Sequence, residues 1–440
     1  MDNQASELLE KIRQQFDRGP YPRTPLELSP KGEPTCLYIH NFLTPYYLRN
    51  KKVIDTEGMT ILDAGCGTGY TSLILAEANP GAKIIGIDLS EQSVKIARER
   101  LYYHGFKNVE FYAISIEKIA FLEQKFDYIN CHETLYLLPD PVIGMQAMKS
   151  VLKPDGILRA NLHDSIARAD MLRAQKFFKL MGFMDDNPRE TEISMVYETM
   201  KALKDKVLLK VQTWRSEFED DEAKIQVNQL LLGDKGSTIP ELFSALRAAK
   251  LEFISMVNWQ QWELKDLFKE PDDLPVFLGL TLPELSIEEG LHLFELLHPV
   301  HRLLDFWCGH PNQAQPFVPV TEWMLSDWQR AKVHLHPQLK TPVVKEELLN
   351  CIRHLHPFEM GRQLPITPGE VVVDNSIAAC LLPLWEEAQS MSSLVERWKK
   401  LRPVHPVKLE PTTELEAFEL MKYTLIGLEA YGYVLLERHP

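Results

Sequence analysis

ILDAGCGTGY, residues 61–70, decides the fold. The apolar pair Ile61-Leu62 leads into glycines at alternating positions, Gly65, Gly67 and Gly69, and Asp63 stands two residues before the first of them. A glycine-rich turn straight after a strand lets a nucleotide approach the backbone. A dinucleotide turn needs GxGxxG, whose third glycine allows close helix packing. Here Tyr70 holds that third position, and Gly69 comes one residue early. A pyrophosphate also wants uncompensated N–H groups at a helix N-terminus. Asp63, just before that turn, would repel it and suits a cation.

Outward from this turn, strand and helix alternate. Thr60 to Ala64 reads as a strand, and Thr68 to Asn79 has helical composition and stops at Pro80-Gly81. Lys83 to Asp88 is a second strand. Ser90 N-caps a helix with Val94, Ala97 and Leu101 on one face and Gly105 as its stop. Asn108 to Ala113 and Phe126 to Cys131 are the third and fourth strands. Asp140 caps a helix that starts on Pro141 and buries Val142, Met145, Met148 and Leu152. The turn Lys153-Pro154-Asp155-Gly156 leads into a fifth strand, Ile157 to Leu162. Repeated units of this length imply an α/β fold with a parallel, doubly wound, Rossmann-like sheet.

Asp88 ends the second strand about twenty residues past the turn, where a carboxylate accepts hydrogen bonds from both ribose hydroxyls. Together, Asp63, the GxGxG turn and Asp88 suit S-adenosylmethionine, a nucleoside with a sulfonium and an ammonium and no phosphate. Ser115 and Ile116 follow the third strand where an adenine would lie, Ile116 covering the ring and Ser115 reaching its edge. Ala64, Leu89 and Cys131 flank these positions at the strand ends. ILDAGCGTGY, IIGIDLS, FDYINC and VLKPDGIL, over roughly residues 55 to 165, resemble the ordered motifs of class I S-adenosylmethionine-dependent methyltransferases. The resemblance implies a sixth strand and an antiparallel seventh. LEFISMVNW, residues 251–259, is expected as the sixth, and Lys332 to His336 as the seventh. Many family members carry an aspartate where this chain has Ser115. FDRGPYPRTPLELSP and LLPLWEEAQSMSSLVERW are similar to parts of bacterial methyltransferases with a C-terminal regulatory-type region, some of which methylate protein lysines. The FPQTHP continuation of that leader is missing.

Methyl transfer from a sulfonium is an in-line displacement with a neutral leaving group, so positioning and water exclusion do much of the work. A general base helps when the nucleophile carries a proton. Ligands of such sheets sit beyond the strand C-termini. His132 and Glu133 follow the fourth strand and His163 ends the fifth, so these are the candidate catalytic residues; the alternative is that they cap helices or hold the methionine end of the cofactor. No NPPY or DPPY follows the fourth strand, which removes the usual support for base or glutamine-amide methylation. Tyr21, Tyr38, His40 and Asn41 precede the first strand. Such a leader either folds over the cofactor, with Tyr21 against the sulfonium, or packs as an aromatic helix.

Beyond residue 165 the chain reads as largely helical: 166–212, 238–250 and 284–308, then three helices and a short strand from about 366. The segments are a leader or lid, 1–52; the cofactor-binding core, 53–165; a helical extension with the sixth strand, 166–265; a helical middle region, 266–365; and a winged-helix-like end, 366–440. His292, His298, His301, Cys308 and His310 match no compact zinc module, and helix packing accounts for them without a metal. The acidic run 219–222 reads as a solvated loop. The 440 residues carry a formal charge of −14, which opposes a nucleic-acid surface. Six scattered cysteines without a CxxC pair, no apolar run near the roughly 20 residues of a membrane span and no secretory leader point to the cytoplasm. The expected activity is methyl transfer to an oxygen or nitrogen of an acceptor, a small molecule ahead of a protein lysine. A non-catalytic S-adenosylmethionine-binding regulator is the rival outside catalysis. The extra chain length serves the acceptor or a homodimer surface.

Overall fold

The computed structural model describes residues 3–218 and 221–438. The chain divides into two compact units. One holds residues 1–29, 58–76 and 81–313, and the other 30–57, 77–80 and 314–440.

The first unit is built on a seven-stranded sheet. Its strands are β1 (Thr60–Ala64), β2 (Lys83–Asp88), β3 (Val109–Ala113), β4 (Phe126–Cys131), β5 (Leu152–His163), β6 (Glu252–Met256) and β7 (Leu303–Gly309), in the spatial order β3-β2-β1-β4-β5-β7-β6. β1 to β5 run parallel, and β7 lies antiparallel between β5 and β6. β1, β2 and β4 are buried almost end to end, as strands covered on both faces must be. The edge strand β3 keeps only Phe111 fully buried. Ser90 caps the helix Glu91–Tyr103 by accepting from the Ser93 N–H at 3.1 Å, and Asp140 caps Pro141–Val151 through Val142 at 2.8 Å. The Lys153–Gly156 turn is a register shift within β5: Phe126 pairs with Leu152 and Tyr128 already with Ile157.

The sixth strand lies within the expected segment. The seventh does not. Ala331–Leu335 is a strand of another sheet, and the antiparallel seventh is β7, inside residues expected to be helical. The helix Ile287–Leu297 stops before Pro299, which cannot donate to a continuing ladder. The apolar run that follows then pairs with β5 from Leu303↔His163 to Gly309↔Ile157. Leu304, Phe306 and Trp307 have no exposed surface there. With no alternation to show, β7 cannot be told from a helix by period.

Between β5 and β6 an insertion builds a small core of its own. The helices Ala169–Leu180, Glu190–Ala202 and Glu222–Asn228 bring together Phe178, Val196, Met200, Ile225 and Leu230. Residues 219 and 220 of the acidic run lie outside the described residues. Asp221 caps Glu222–Asn228, accepting from Ala223 at 3.0 Å and Lys224 at 3.3 Å. The histidines weighed for a metal serve separate contacts: His292 pairs with Glu295, His301 stacks on Trp262, and His310 meets the Leu152 carbonyl.

The second unit carries β8 (Ala331–Leu335), β9 (Phe358–Glu359), β10 (Val372–Val373), β11 (Gln389–Ser390) and β12 (Val434–Arg438). β8 is the middle strand of an antiparallel sheet in the order β11-β8-β12. Helices Pro342–His354, Asn375–Leu381, Met391–Leu401 and Glu414–Ala430 belong to it. Tyr38, His40 and Asn41 are buried residues of this unit, and Asn41 donates to the Ala78 carbonyl at 2.9 Å. Among the described residues no helix is long and apolar enough to cross a membrane.

Candidate functional site

The glycine turn after β1 is closed on itself. Gly65 and Cys66 donate to the Ile87 carbonyl at 2.8 and 2.9 Å, and Gly69 donates to Cys66 at 2.9 Å. Gly67 donates to the Asp88 carboxylate at 3.0 Å, and Thr68 to the Tyr21 carbonyl at 3.1 Å. Each of the five amides therefore has a protein acceptor, and none is left over for a pyrophosphate. Gly67 has φ +50°, and a Cβ there would run into the Tyr21 carbonyl. The leader is thus laid directly on the turn. Thr68 Oγ1 also donates to Pro22 at 2.7 Å, and the buried Arg100 spans both segments, donating to Thr68, Thr24 and Pro25 at 2.9, 2.8 and 2.6 Å. Gly67→Ala is expected to lift the leader, because an L-residue is strained at that φ and the carbonyl has to move. Tryptic cutting after Arg23 should rise several-fold. Unchanged cutting would mean that the turn gives way instead.

Asp63 is buried, and its oxygens accept from Ser72 at 2.7 Å and Asn130 at 3.0 Å. Burial pushes its pKa up to about 6, against the pull of those two hydrogen bonds. Asp88 accepts from Gly67 and from the Ser90 N–H at 2.9 Å, and burial raises it as well. Ser115 sits at an N-cap position without capping anything, and its buried Oγ has no partner. Ile116 is buried beside it. Ala64 and Cys131 are fully buried at the ends of β1 and β4, and Leu89 is half-buried after β2. An orphaned hydroxyl at Ser115 and acidic strand ends at Asp63 and Asp88, beside a turn with no amide to spare, fit a cationic nucleoside without phosphates.

The three acid–base candidates meet in one place, beyond the ends of β4 and β5. His132 Nδ1 faces the Asn161 amide at 2.9 Å and Arg159 Nη2 at 3.4 Å. The guanidinium can only donate, so Nδ1 accepts and the imidazole is neutral. Burial first, then Arg159, pull its pKa down to about 4. Glu133 has φ +54°, a strained value for a non-glycine residue, and its N–H is held by Asn161 Oδ1 at 2.9 Å. Its carboxylate takes the Tyr136 hydroxyl at 2.6 Å and both terminal nitrogens of Arg302, Nη1 at 3.2 Å. Burial alone would raise Glu133, but these partners prevail and hold it at about 2. His163 is 1% exposed, stacks on Tyr136 at 3.8 Å between ring centres, and holds Asp234 through Nδ1 at 2.8 Å. Asp234 is fastened by Arg168 at 3.2 Å and Gln175 at 3.1 Å. Arg302 Nη1 donates to His163 Nε2 at 3.1 Å, so the proton of His163 lies on Nδ1. Tyr21 is 40% exposed, and after burial Glu133 and Arg302 act most strongly on its hydroxyl.

Sequence reasoning reached His132, Glu133 and His163 but missed Asp234, Arg302 and Arg100. Asp234 stands in a Gly-Asp-Lys-Gly turn and Arg302 follows a His-Pro break, and neither has a periodic partner nearby.

These shifts carry a pH signature. The folded His132 pKa lies below the ordinary 6.5, so the unfolded chain binds the proton first and stability falls as pH drops from about 6.5 to 4. Asp63, shifted up from 3.8 to about 6, has the opposite slope between those values. The difference in urea midpoint between the parent and His132→Asn isolates the histidine. It should shrink steadily as pH falls from about 6.5 to 4; a constant difference would contradict the neutral, hydrogen-bonded ring.

Residues 55–225 match the family model described as a methyltransferase domain. An uncharacterised protein of Synechococcus sp. is 27% identical over 318 residues, covering 71% of this chain and 73% of that protein. The ubiquinone biosynthesis O-methyltransferase of Actinobacillus pleuropneumoniae is 32% identical over 148 residues, 32% of this chain and 62% of its own length. The chain thus spans under two thirds of that named relative. The structure of PKMT2 from Rickettsia typhi superposes with TM-score 0.59 at 16% identity, over 94% of this chain and 76% of that one, which shows a shared fold. A second structure of it, in complex with AdoHcy, covers 91% of this chain at 15% identity.

Proposed function

We propose that this chain, whose residues 55–225 are a class I S-adenosylmethionine-dependent methyltransferase domain, moves the methyl group to an oxygen or nitrogen nucleophile of its acceptor, a small molecule ahead of a protein. Asp88 receives the ribose hydroxyls, Ser115 and Ile116 the adenine, and Asp63 the ammonium. Gly65, Gly67 and Gly69, with Ala64, Leu89 and Cys131, shape the wall, and the Tyr21 ring faces the sulfonium. When bound, the cofactor supplies an electrophilic methyl and leaves as a neutral thioether. The chain's own residues orient the acceptor and take its proton. The observation that carries this reading is the Asp234–His163 pair, 2.8 Å apart, whose Nε2 points to the Glu133–Arg302 pair. Asp234 keeps the proton on Nδ1, which leaves the Nε2 lone pair to act as base. His132, with Nδ1 occupied by donors, orients Asn161 and through it Glu133. The formal charge of −14 supports an acceptor other than nucleic acid, and the reaction is placed in the cytoplasm.

Incubation with labelled S-adenosylmethionine and cell extract, split into small-molecule and protein fractions, tests the acceptor. Label in the small-molecule fraction is expected. Label in the protein fraction alone sinks that preference. Tight cofactor binding with no label in either fraction would leave the regulator reading standing.

A further inference from the structure

We propose that Arg302 occupies the acceptor subsite as an internal cation, and that the acceptor group which displaces it is a cationic amine. The inference rests on the methyltransferase reading and narrows its nucleophile to nitrogen.

The subsite is made of Glu133, Tyr136, His163 and the nearby Tyr21. Arg302 fills it in the way an alkylammonium would. Both of its terminal nitrogens bond Glu133, and Nη1 also reaches His163 Nε2 at 3.1 Å. The two carboxylates at this place are Glu133 and Asp234, and Asp234 is already balanced by Arg168, Gln175 and His163. Take Arg302 away and Glu133 keeps only the Tyr136 hydroxyl on its carboxylate, a negative charge without a cation. Such an arrangement attracts a cation and repels a carboxylate.

Arg302 is free to leave, whereas its neighbours are not. Its side chain is 50% exposed, and it stands in the irregular stretch between the helix Ile287–Leu297 and β7. With Arg302 half-exposed and Glu133 fixed behind it, an incoming ammonium can take the guanidinium's place on the carboxylate, exchanging one ion pair for another without breaking the core. His163, by contrast, is 1% exposed and lies behind the guanidinium. The base is reachable only when Arg302 has swung out. Glu133, in its strained conformation, is pinned by Asn161 and Tyr136 and stays to receive the new cation.

The chemistry then balances. An ammonium nitrogen in the place of Nη1 gives one proton to His163 Nε2, and Asp234 stabilises the imidazolium. The freed nitrogen lone pair forms the N–C bond to the methyl group as the C–S bond breaks with its pair on sulfur. The product is a methylated ammonium, and the His163 proton passes to water.

The test uses the full chain saturated with S-adenosylhomocysteine, with n-butylammonium, a short acetylated and amidated Gly-Lys-Gly peptide, and butyrate as probes in titration calorimetry at pH 7.5. Arg302→Ala should bind n-butylammonium about tenfold tighter than the parent, because the competing internal cation is gone. Arg302→Gln, which keeps the size and a hydrogen bond to Glu133, should gain less, and Glu133→Gln in the Arg302→Ala background should lose the gain. Tighter binding of the peptide than of butylammonium would place the amine on a protein, and the reverse on a small molecule; both support the subsite. Equal amine affinity in the parent and Arg302→Ala overturns the proposal, as does butyrate binding by the parent that Arg302→Ala abolishes. The thermal shift with S-adenosylhomocysteine is read on the same samples. If it is missing from the parent, the methyltransferase reading has failed. If it is present and the amine gain is absent, only the Arg302 subsite has failed.

Discussion

Arg159→Met is expected to lower the unfolding free energy by about 3–5 kcal/mol, the cost of stripping the partner from a buried charge. Arg159 has no exposed surface, and it stands in β5 between the fully buried Leu158 and Ala160. It donates to Asp305 on the neighbouring antiparallel strand β7 through Nε at 3.1 Å and Nη2 at 2.6 Å. Methionine replaces much of the apolar stem, so the loss reports the charge rather than a cavity. Asp305, only 14% exposed, keeps its carboxylate with no cation on β5 to meet it. By comparison the pair Arg247–Glu288, with side chains 61% and 28% exposed, should contribute well under about 1 kcal/mol. Urea midpoints measure both. Adding Asp305→Asn to Arg159→Met should restore part of the stability, since the orphaned charge is then gone. A loss below about 1 kcal/mol for Arg159→Met would show that Asp305 is solvated well enough without it.

The second large effect concerns the cofactor. S-adenosylhomocysteine at a hundred times its dissociation constant should stabilise the parent by about 2.7 kcal/mol, and Asp88→Ala should lose nearly all of that. Asp88 also accepts from Gly67 and Ser90, so the variant starts from a lower melting temperature. For that reason the quantity to read is the ligand-induced shift, not the melting temperature itself. Asp88→Asn retains one oxygen acceptor and should fall between the two. A full shift in Asp88→Ala would remove the ribose from this carboxylate and undercut the placement of the whole nucleoside.

The sequence was most readable where local chemistry and tertiary role coincide. The Ser90 and Asp140 caps rest on contacts within two or three residues, and the glycine turn and the sixth strand showed themselves through short motifs although their partners lie farther along the chain. The positive φ of Gly67 follows from the same rule, since a turn of this kind calls for a residue without a Cβ. The site resisted reading where charges far apart in the chain meet. Arg159 was an available signal, since a guanidinium between Leu158 and Ala160 in a buried strand must find a carboxylate somewhere. Nothing near it in sequence names Asp305. Asp234 is separated from His163 by the whole helical insertion, and Arg302 from Glu133 by 169 positions.

From the amino-acid order alone came the parallel sheet, the turn that leaves no place for a phosphate and the acidic ends of the first two strands. These depend on period, on glycine's missing side chain and on charge, all of which act over short stretches. Folding in three dimensions decided which apolar run became the seventh strand, how the leader lies on the turn, and which distant arginine closes over His163. Those outcomes depend on what a segment packs against. A buried apolar run satisfies either a helix or a strand, and a charge accepts whichever opposite charge the folded chain brings within reach.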